Sequence, residues 1–185
     1  MLKKFIYGIS LYIILLLPPV IKLLENWMFT HMLVQIPLLI FAGLLMGEYV
    51  KHRLRGLFKQ WNSSGIPGIL LVYIVTMYWM IPRAMDEAII VTSVEVFKFV
   101  SLPLTGLLLR DSLKKIQVIG KVFLFLNYIS MFGLMAWLYI DSPIQVCNNY
   151  LEAEQQALGW GFLVIAAGMV LYIVQMTFTD HSGKI

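Results

Sequence analysis

The sequence predicts an all-α, polytopic membrane helix bundle with six transmembrane helices and both termini cytoplasmic. Three observations predict it. The chain has 185 residues, 60% of them apolar, with a mean hydropathy of +0.82. Six apolar stretches can be read along it, at roughly 5–21, 32–50, 66–82, 88–109, 119–140 and 157–178. Each is close to the ~20 residues that cross a ~30 Å hydrocarbon core. Finally, eleven of the 14 Lys and Arg residues fall on one side of that plan. With the N-terminus inside, the inner side holds Lys3, Lys4, Lys51, Arg53, Arg55, Lys59, Arg110, Lys114, Lys115, Lys121 and Lys184. The outer side holds only Lys22 and Arg83, and Lys98 lies within a span. The reverse orientation violates the positive-inside rule.

Composition excludes several classes. No soluble domain of this size hides so much apolar surface, so lipid is the solvent for most of it. Six spans leave only ~65 residues for loops and tails, too few for an extramembrane domain. Residues 1–185 therefore read as a single transmembrane domain. The net charge of +4 reflects inner loops beside an anionic leaflet and does not point to nucleic acid. Lys3 and Lys4 precede an apolar run, as in a signal peptide, but no small-x-small cleavage site follows. Pro18, Pro19 and Lys22 follow instead, and the first segment is read as retained. One cysteine, Cys147, allows no internal disulfide and no CxxC motif.

The first span ends near Pro18-Pro19, which remove backbone donors and bend the helix. Trp27 in the next loop suits the water–lipid interface. The second span starts near His31 and contains Pro37, whose freed carbonyl needs a neighbour or a distorted turn. It runs into the basic loop Lys51-His52-Arg53-Leu54-Arg55. Asn62-Ser63-Ser64-Gly65 is a turn signal. The third span reaches Trp79 and Pro82. The fourth carries Glu95, Lys98, Ser101, Pro103 and Gly106, and the fifth carries Asn127. A polar outer segment from Asp141 to Gln156 follows. Gly159, Gly161 and Gly168 in the sixth span permit close helix approach. On the outer side six acids (Glu25, Asp86, Glu87, Asp141, Glu152 and Glu154) face two bases. Such a mouth would concentrate cations, though retention of bases inside produces the same asymmetry.

Three groups of residues are candidates for function. Glu95 and Lys98 are three residues apart on one helix face and can pair; intramembrane charges usually face a bundle interior or a water-filled cavity. They read either as an ion, proton or partner site, or as a self-neutralising pair with Lys98 snorkelling to the interface. Met28, His31, Met32 and Gln35 recur at helical spacings. With Met80, Met85 and Cys147 on the same side, they offer the imidazole and soft sulfur that suit Cu(I). Methionine is equally a packing residue. Glu154-Gln155-Gln156 precedes the last span, where a carboxylate favours the helix N-terminus. No Ser–His–Asp set, GxGxxG or HExxH occurs, which argues against an enzyme.

Trp79-Met80-Ile81-Pro82-Arg83-Ala84-Met85-Asp86 resembles the W-x-[IL]-P-x-x-x-D segment of the CtaG family of cytochrome-c-oxidase assembly membrane proteins. Ser101 to Gly106 is similar to that family's L-S-x-x-x-x-G stretch. Glu154-Gln155-Gln156 resembles its D-Q-Q, and His31-Met32-Leu33-Val34-Gln35 its H-M-x-Q-H. Residues from about 29 to 176 are covered, and typical members are longer. The family His after the Trp is Met80 here, and its two fourth-span His fall at Glu95 and Phe99. The resemblance implies a divergent, shortened member in the cytoplasmic (inner) membrane. Such a protein would assist assembly or copper loading of a respiratory copper enzyme such as a heme-copper oxidase. Its copper would be held by His31 and Met80 with Met28, Met32 or Cys147. The alternatives are an accessory subunit of a membrane oxidase or monooxygenase without its own metal, and a small-solute transporter at Glu95–Lys98. No inverted repeat supports the last.

Overall fold

Prolines and glycines decide where helices start, stop and bend. The computed structural model describes residues 2–141 and 146–179, and the regular structure among them is all helical. The order is α1 (Leu2–Leu15), α2 (Pro18–Glu25), α3 (Met28–Thr30), a π-helical turn (His31–Gln35) and α4 (Ile36–Arg53). Then come α5 (Arg55–Trp61), α6 (Ile66–Met80), α7 (Pro82–Ile90), α8 (Thr92–Ser112), α9 (Val118–Asp141) and α10 (Glu152–Thr179). Pro18, Pro67 and Pro82 stand in the first turns of α2, α6 and α7, where a missing N–H costs nothing. Gly65 precedes α6 at φ +80°, a backbone state that suits glycine.

Four helical stretches are long and apolar enough to cross a membrane: Met28–Arg53, Thr92–Ser112, Val118–Asp141 and Glu152–Gln175. Two further stretches are sharply bent pairs. Leu2–Leu15 meets Pro18–Glu25 at 72°, and Arg55–Trp61 meets Ile66–Met80 at 89°. Counting each pair as one span gives six. The bundle therefore has four to six candidate spans, a coarser result than the six of the sequence reading. Boundaries also shift. The second span begins at Met28, and the expected fourth span is broken at Val91 because residues 88–90 belong to α7. Lys184, expected inside, lies outside the described residues.

The centre is a backbone-close seam between α4 and α8, which run parallel. A Cβ on Gly43 would lie 1.9 Å from the Pro103 carbonyl oxygen, and one on Gly106 would lie 1.9 Å from that of Ile40. Side chains of any size there would push the helices apart. This gives the motif residue Gly106 a physical reason. α1 packs antiparallel on α4, with Gly8 against Met46 and Ala42. α6 lies antiparallel to α8, joined by a 2.9 Å bond from Trp79 Nε1 to Ser101 Oγ. α9 and α10 form an antiparallel hairpin in which Phe132 and Phe162 stack at 5.6 Å. The hairpin meets the rest where Gly161 faces Phe29 and Leu33, and through polar rungs from α6 described below. One end of the bundle gathers Glu25, Asp86 and Glu154; the other gathers Lys51, Arg110, Lys114 and Lys115. They are called the acidic and basic ends.

Candidate functional site

Pro37 shapes the site at the acidic end. It has no N–H to offer the Leu33 carbonyl four residues back, and its ring crowds that carbonyl. The preceding residues widen into a π-helical turn over His31–Gln35, where the Ile36 N–H bonds the His31 carbonyl. Such turns recur at functional sites. This turn buries His31 and Gln35 beside Lys98 from α8.

Lys98 is 0% exposed. Its ion-pair partner is Glu25 at the end of α2, itself 12% exposed. An ammonium has three donors, and three acceptors surround this one. They are Glu25 Oε1, His31 Nε2 at 3.2 Å and Gln35 Oε1 at 3.4 Å. The ring of His31 must then carry its proton on Nδ1. That proton meets the Tyr150 hydroxyl at 2.7 Å, and the hydroxyl donates onward to the Glu25 carbonyl at 3.0 Å. Gln35 Nε2 donates to Glu25 Oε1 at 3.3 Å. The partners thus assign a neutral imidazole inside a closed, charge-balanced network.

The expected Glu95–Lys98 pair is corrected by this geometry. Glu95 is half-buried and forms no ion pair among the described residues. The α1–α2 bend carries Glu25 over the bundle and delivers a nearer carboxylate. Sequence reasoning named Glu25 only as one of six outer acids, not as the partner of Lys98, and did not name Tyr150. The signal for Glu25 was indirect: a buried lysine needs an anion, and more than one acid lies on that side.

The expected copper donors are placed as follows. His31 has one ring nitrogen facing an ammonium and the other holding a proton, so no lone pair is free for an ion. Met80 lines the α6–α9 side with Met131 and Met135. Met28 is core, and Met32 Sδ accepts a 3.9 Å bond from the Tyr139 hydroxyl. Cys147 is buried, 3.9 Å from the Pro82 carbonyl oxygen and bonded to Tyr139. Burial, with the Asp86 charge adding to it, pushes its thiol up to about 12, so the thiolate that binds metal is suppressed. Among the described residues no three His, Cys, Asp or Glu side chains converge. The residues present do not fit a copper ion held by His31.

The motif residues instead organise the acidic end. Buried Asp86 accepts the Asn148 N–H at 2.7 Å and the Asn149 N–H at 3.4 Å, and Asn149 Nδ2 reaches it at 3.3 Å. Buried Gln155 accepts the Val146 N–H at 3.0 Å and donates to the carbonyls of Cys147 and Tyr150. Glu154 accepts the Leu151 N–H at 3.4 Å, half of a capping box. Gln156 is exposed. Residues 146–150 are thereby pinned over Pro82–Asp86, and burial raises the Tyr150 phenol's pKa. Compared with known protein families, curated proteins and solved structures, the chain matches none.

Proposed function

We propose that this chain is a six-span, non-enzymatic protein of the cytoplasmic membrane, with both termini inside. In this reading it assists assembly of, or belongs as an accessory part to, a larger membrane complex of the heme-copper oxidase kind, without copper at His31. The observation that carries it is the pinned segment at the acidic end. Asp86 and Gln155 spend buried polar groups on residues 146–150, and Asn148, Asn149 and Leu151 are exposed on top. A surface ordered in advance loses less entropy when a partner docks, and a loop held this firmly invites a recognition role. The CtaG-like motifs support the class of partner, and the one-sided bases support the topology.

Purification of the tagged chain in mild detergent tests this reading. The expected result is a co-purifying membrane oxidase or monooxygenase whose yield falls at least several-fold with Asp86→Ala. The Arg83→Ala control should leave the yield unchanged, because Arg83 is exposed and, among the described residues, its ion pair is with Glu87 on its own helix. Full recovery of the partner with Asp86→Ala, at normal helicity, would remove the docking role. Copper that depends on His31 would overturn the metal-free reading.

One observation favours a second reading. Lys98, Glu25 and His31 are ionisable groups meeting at a π-helical turn within candidate spans, an arrangement that also suits proton or small-ion movement. Proteoliposomes carrying the chain and an internal pH dye would then show a flux that Lys98→Met abolishes. No flux above protein-free vesicles would dismiss it.

A further inference from the structure

The α9–α10 hairpin stands off from α6 and leaves a lateral groove between α6 and α9. Two polar rungs bridge it midway: Tyr73 to Asn127 at 3.3 Å and Thr76 to Tyr128 at 2.8 Å. On the basic side of the first rung lies a cavity of ≈ 650 Å³, within the size range of ligand sites. Its walls are apolar, with Ile66, Ile69, Leu70, Ile119, Phe123 and Leu124 along its length. Ile119 is 82% exposed, so this wall is bare. Polar groups crowd the basic mouth, where Ser64, Lys115 and Gln117 line the opening. The Lys115 ammonium is already held by Asp111 and the Asn62 carbonyl. Lys121, one residue beyond the lining Gly120, is exposed and has no ion-pair partner among the described residues.

We propose that this half-groove binds one anionic phospholipid from the leaflet beside the basic end. Its acyl chain lies against α6 and α9, and its phosphate meets Lys121, Gln117 and Ser64. Depth agrees with a single leaflet. From Ile66 to Tyr73 is seven residues, about 10 Å of helix, against about 15 Å for half of a ~30 Å core. Charge agrees as well, since an unpaired lysine at the surface attracts anionic headgroups. On the acidic side of the rung the groove continues as ≈ 490 Å³ lined by Met77, Met80, Met131 and Met135, with no cation among the described residues of its walls. Specific retention of an anionic lipid is therefore confined to the basic half. Naming the leaflet rests on the topology proposed above; the binding itself does not.

Native mass spectrometry of the detergent-purified chain, titrated with dioleoyl phosphatidylglycerol or dioleoyl phosphatidylcholine, tests the proposal. One phosphatidylglycerol should be retained in preference to phosphatidylcholine, and Lys121→Ala should cut that preference about fivefold. Gly120→Leu should displace the chain of either lipid. A Cβ at Gly120 meets only Ile116, at 3.7 Å, so folding is spared. Leu70→Trp, from the exposed α6 wall, should do the same. Val164→Trp, exposed on α10, serves as the control and should change nothing. Equal retention of the two lipids, or retention unaffected by both groove-filling variants, would overturn the site. So would a partner transmembrane segment, rather than lipid, cross-linked from a photoreactive residue at position 70.

Discussion

At the acidic end Lys98 is 0% exposed and answers to one carboxylate and two neutral acceptors. At the basic end Asp111 is 1% exposed and answers to two ammonium groups, Lys51 at 2.6 Å and Lys115 at 2.5 Å, with Asn62 at 2.8 Å. The two clusters are mirror images in charge but not in setting. Lys51 is 38% exposed and Lys115 21%, so the cations around Asp111 keep contact with water along flexible stems. Lys98 has no such contact and depends on geometry alone. The difference teaches where a buried charge is a rigid commitment and where it is a negotiable one. A sealed charge lacking its partner has nowhere to go, whereas a wet partner can turn outward.

The largest expected effect breaks the sealed side. Lys98→Met leaves Glu25 facing Gln35 and a neutral His31, with its charge uncompensated. Removing one partner of a buried pair costs about 3–5 kcal/mol, and removing both often costs less. The double variant Lys98→Met with Glu25→Gln should therefore recover much of the loss in thermal midpoint measured in detergent. Glu95→Gln should have a small effect, because Glu95 forms no ion pair with Lys98. If the double variant is no better than Lys98→Met, Glu25 is not the partner that matters.

A smaller effect is expected at the wet side. Asp111→Asn removes one anion, but Lys51 and Lys115 can swing toward solvent. The cost should be about 1.5–3 kcal/mol, the worth of a hydrogen bond to a charged group. Salt sharpens the contrast. Raising ionic strength to about 1 M shrinks the screening length to ~3 Å. It should narrow the gap between wild type and Asp111→Asn while leaving the Lys98→Met gap intact. Parallel responses at the two ends would mean that exposure does not distinguish them.

Much of the helical plan is legible in the residues because lipid demands long apolar runs and prolines mark their starts. Pro18-Pro19 announces a bend and Asn62-Ser63-Ser64-Gly65 a turn, but the 72° and 89° angles at those two places depend on what each segment packs against. Lys98 is legible as a charge in need of a partner. The partner is not legible, because Glu95 is three residues away on the same helix and Glu25 is 73 residues away in sequence. Only the folded path of α2 decides between them. His31 and the methionines carry soft-donor chemistry on paper. Whether a ring nitrogen is free depends on Tyr150 and Lys98, which come from two other places in the chain. Asp86 and Gln155 stand out as motif letters, while their task of holding residues 146–150 appears only in their hydrogen bonds.

Cys147 supplies the smallest effect and links the pinned segment to the sealed end. Although the thiol lies in a loop on the acidic side, it is buried and close to Pro82. Impermeant maleimide should fail to label it in the folded protein and label it readily after unfolding. A cysteine introduced at exposed Leu151 should react with the same reagent in the folded protein. Burial and the Asp86 carboxylate disfavour the thiolate, so the folded chain holds this proton more tightly than the unfolded chain does. The stabilising contribution is whole below the ordinary thiol value of 9.0 and is lost as pH rises toward about 12. Wild type should therefore lose part of its stability advantage over Cys147→Ala between those values. An advantage that stays level across that window, or rapid labelling of the folded chain, would mean that residues 146–150 open far more often than their bonds to Asp86 and Gln155 imply.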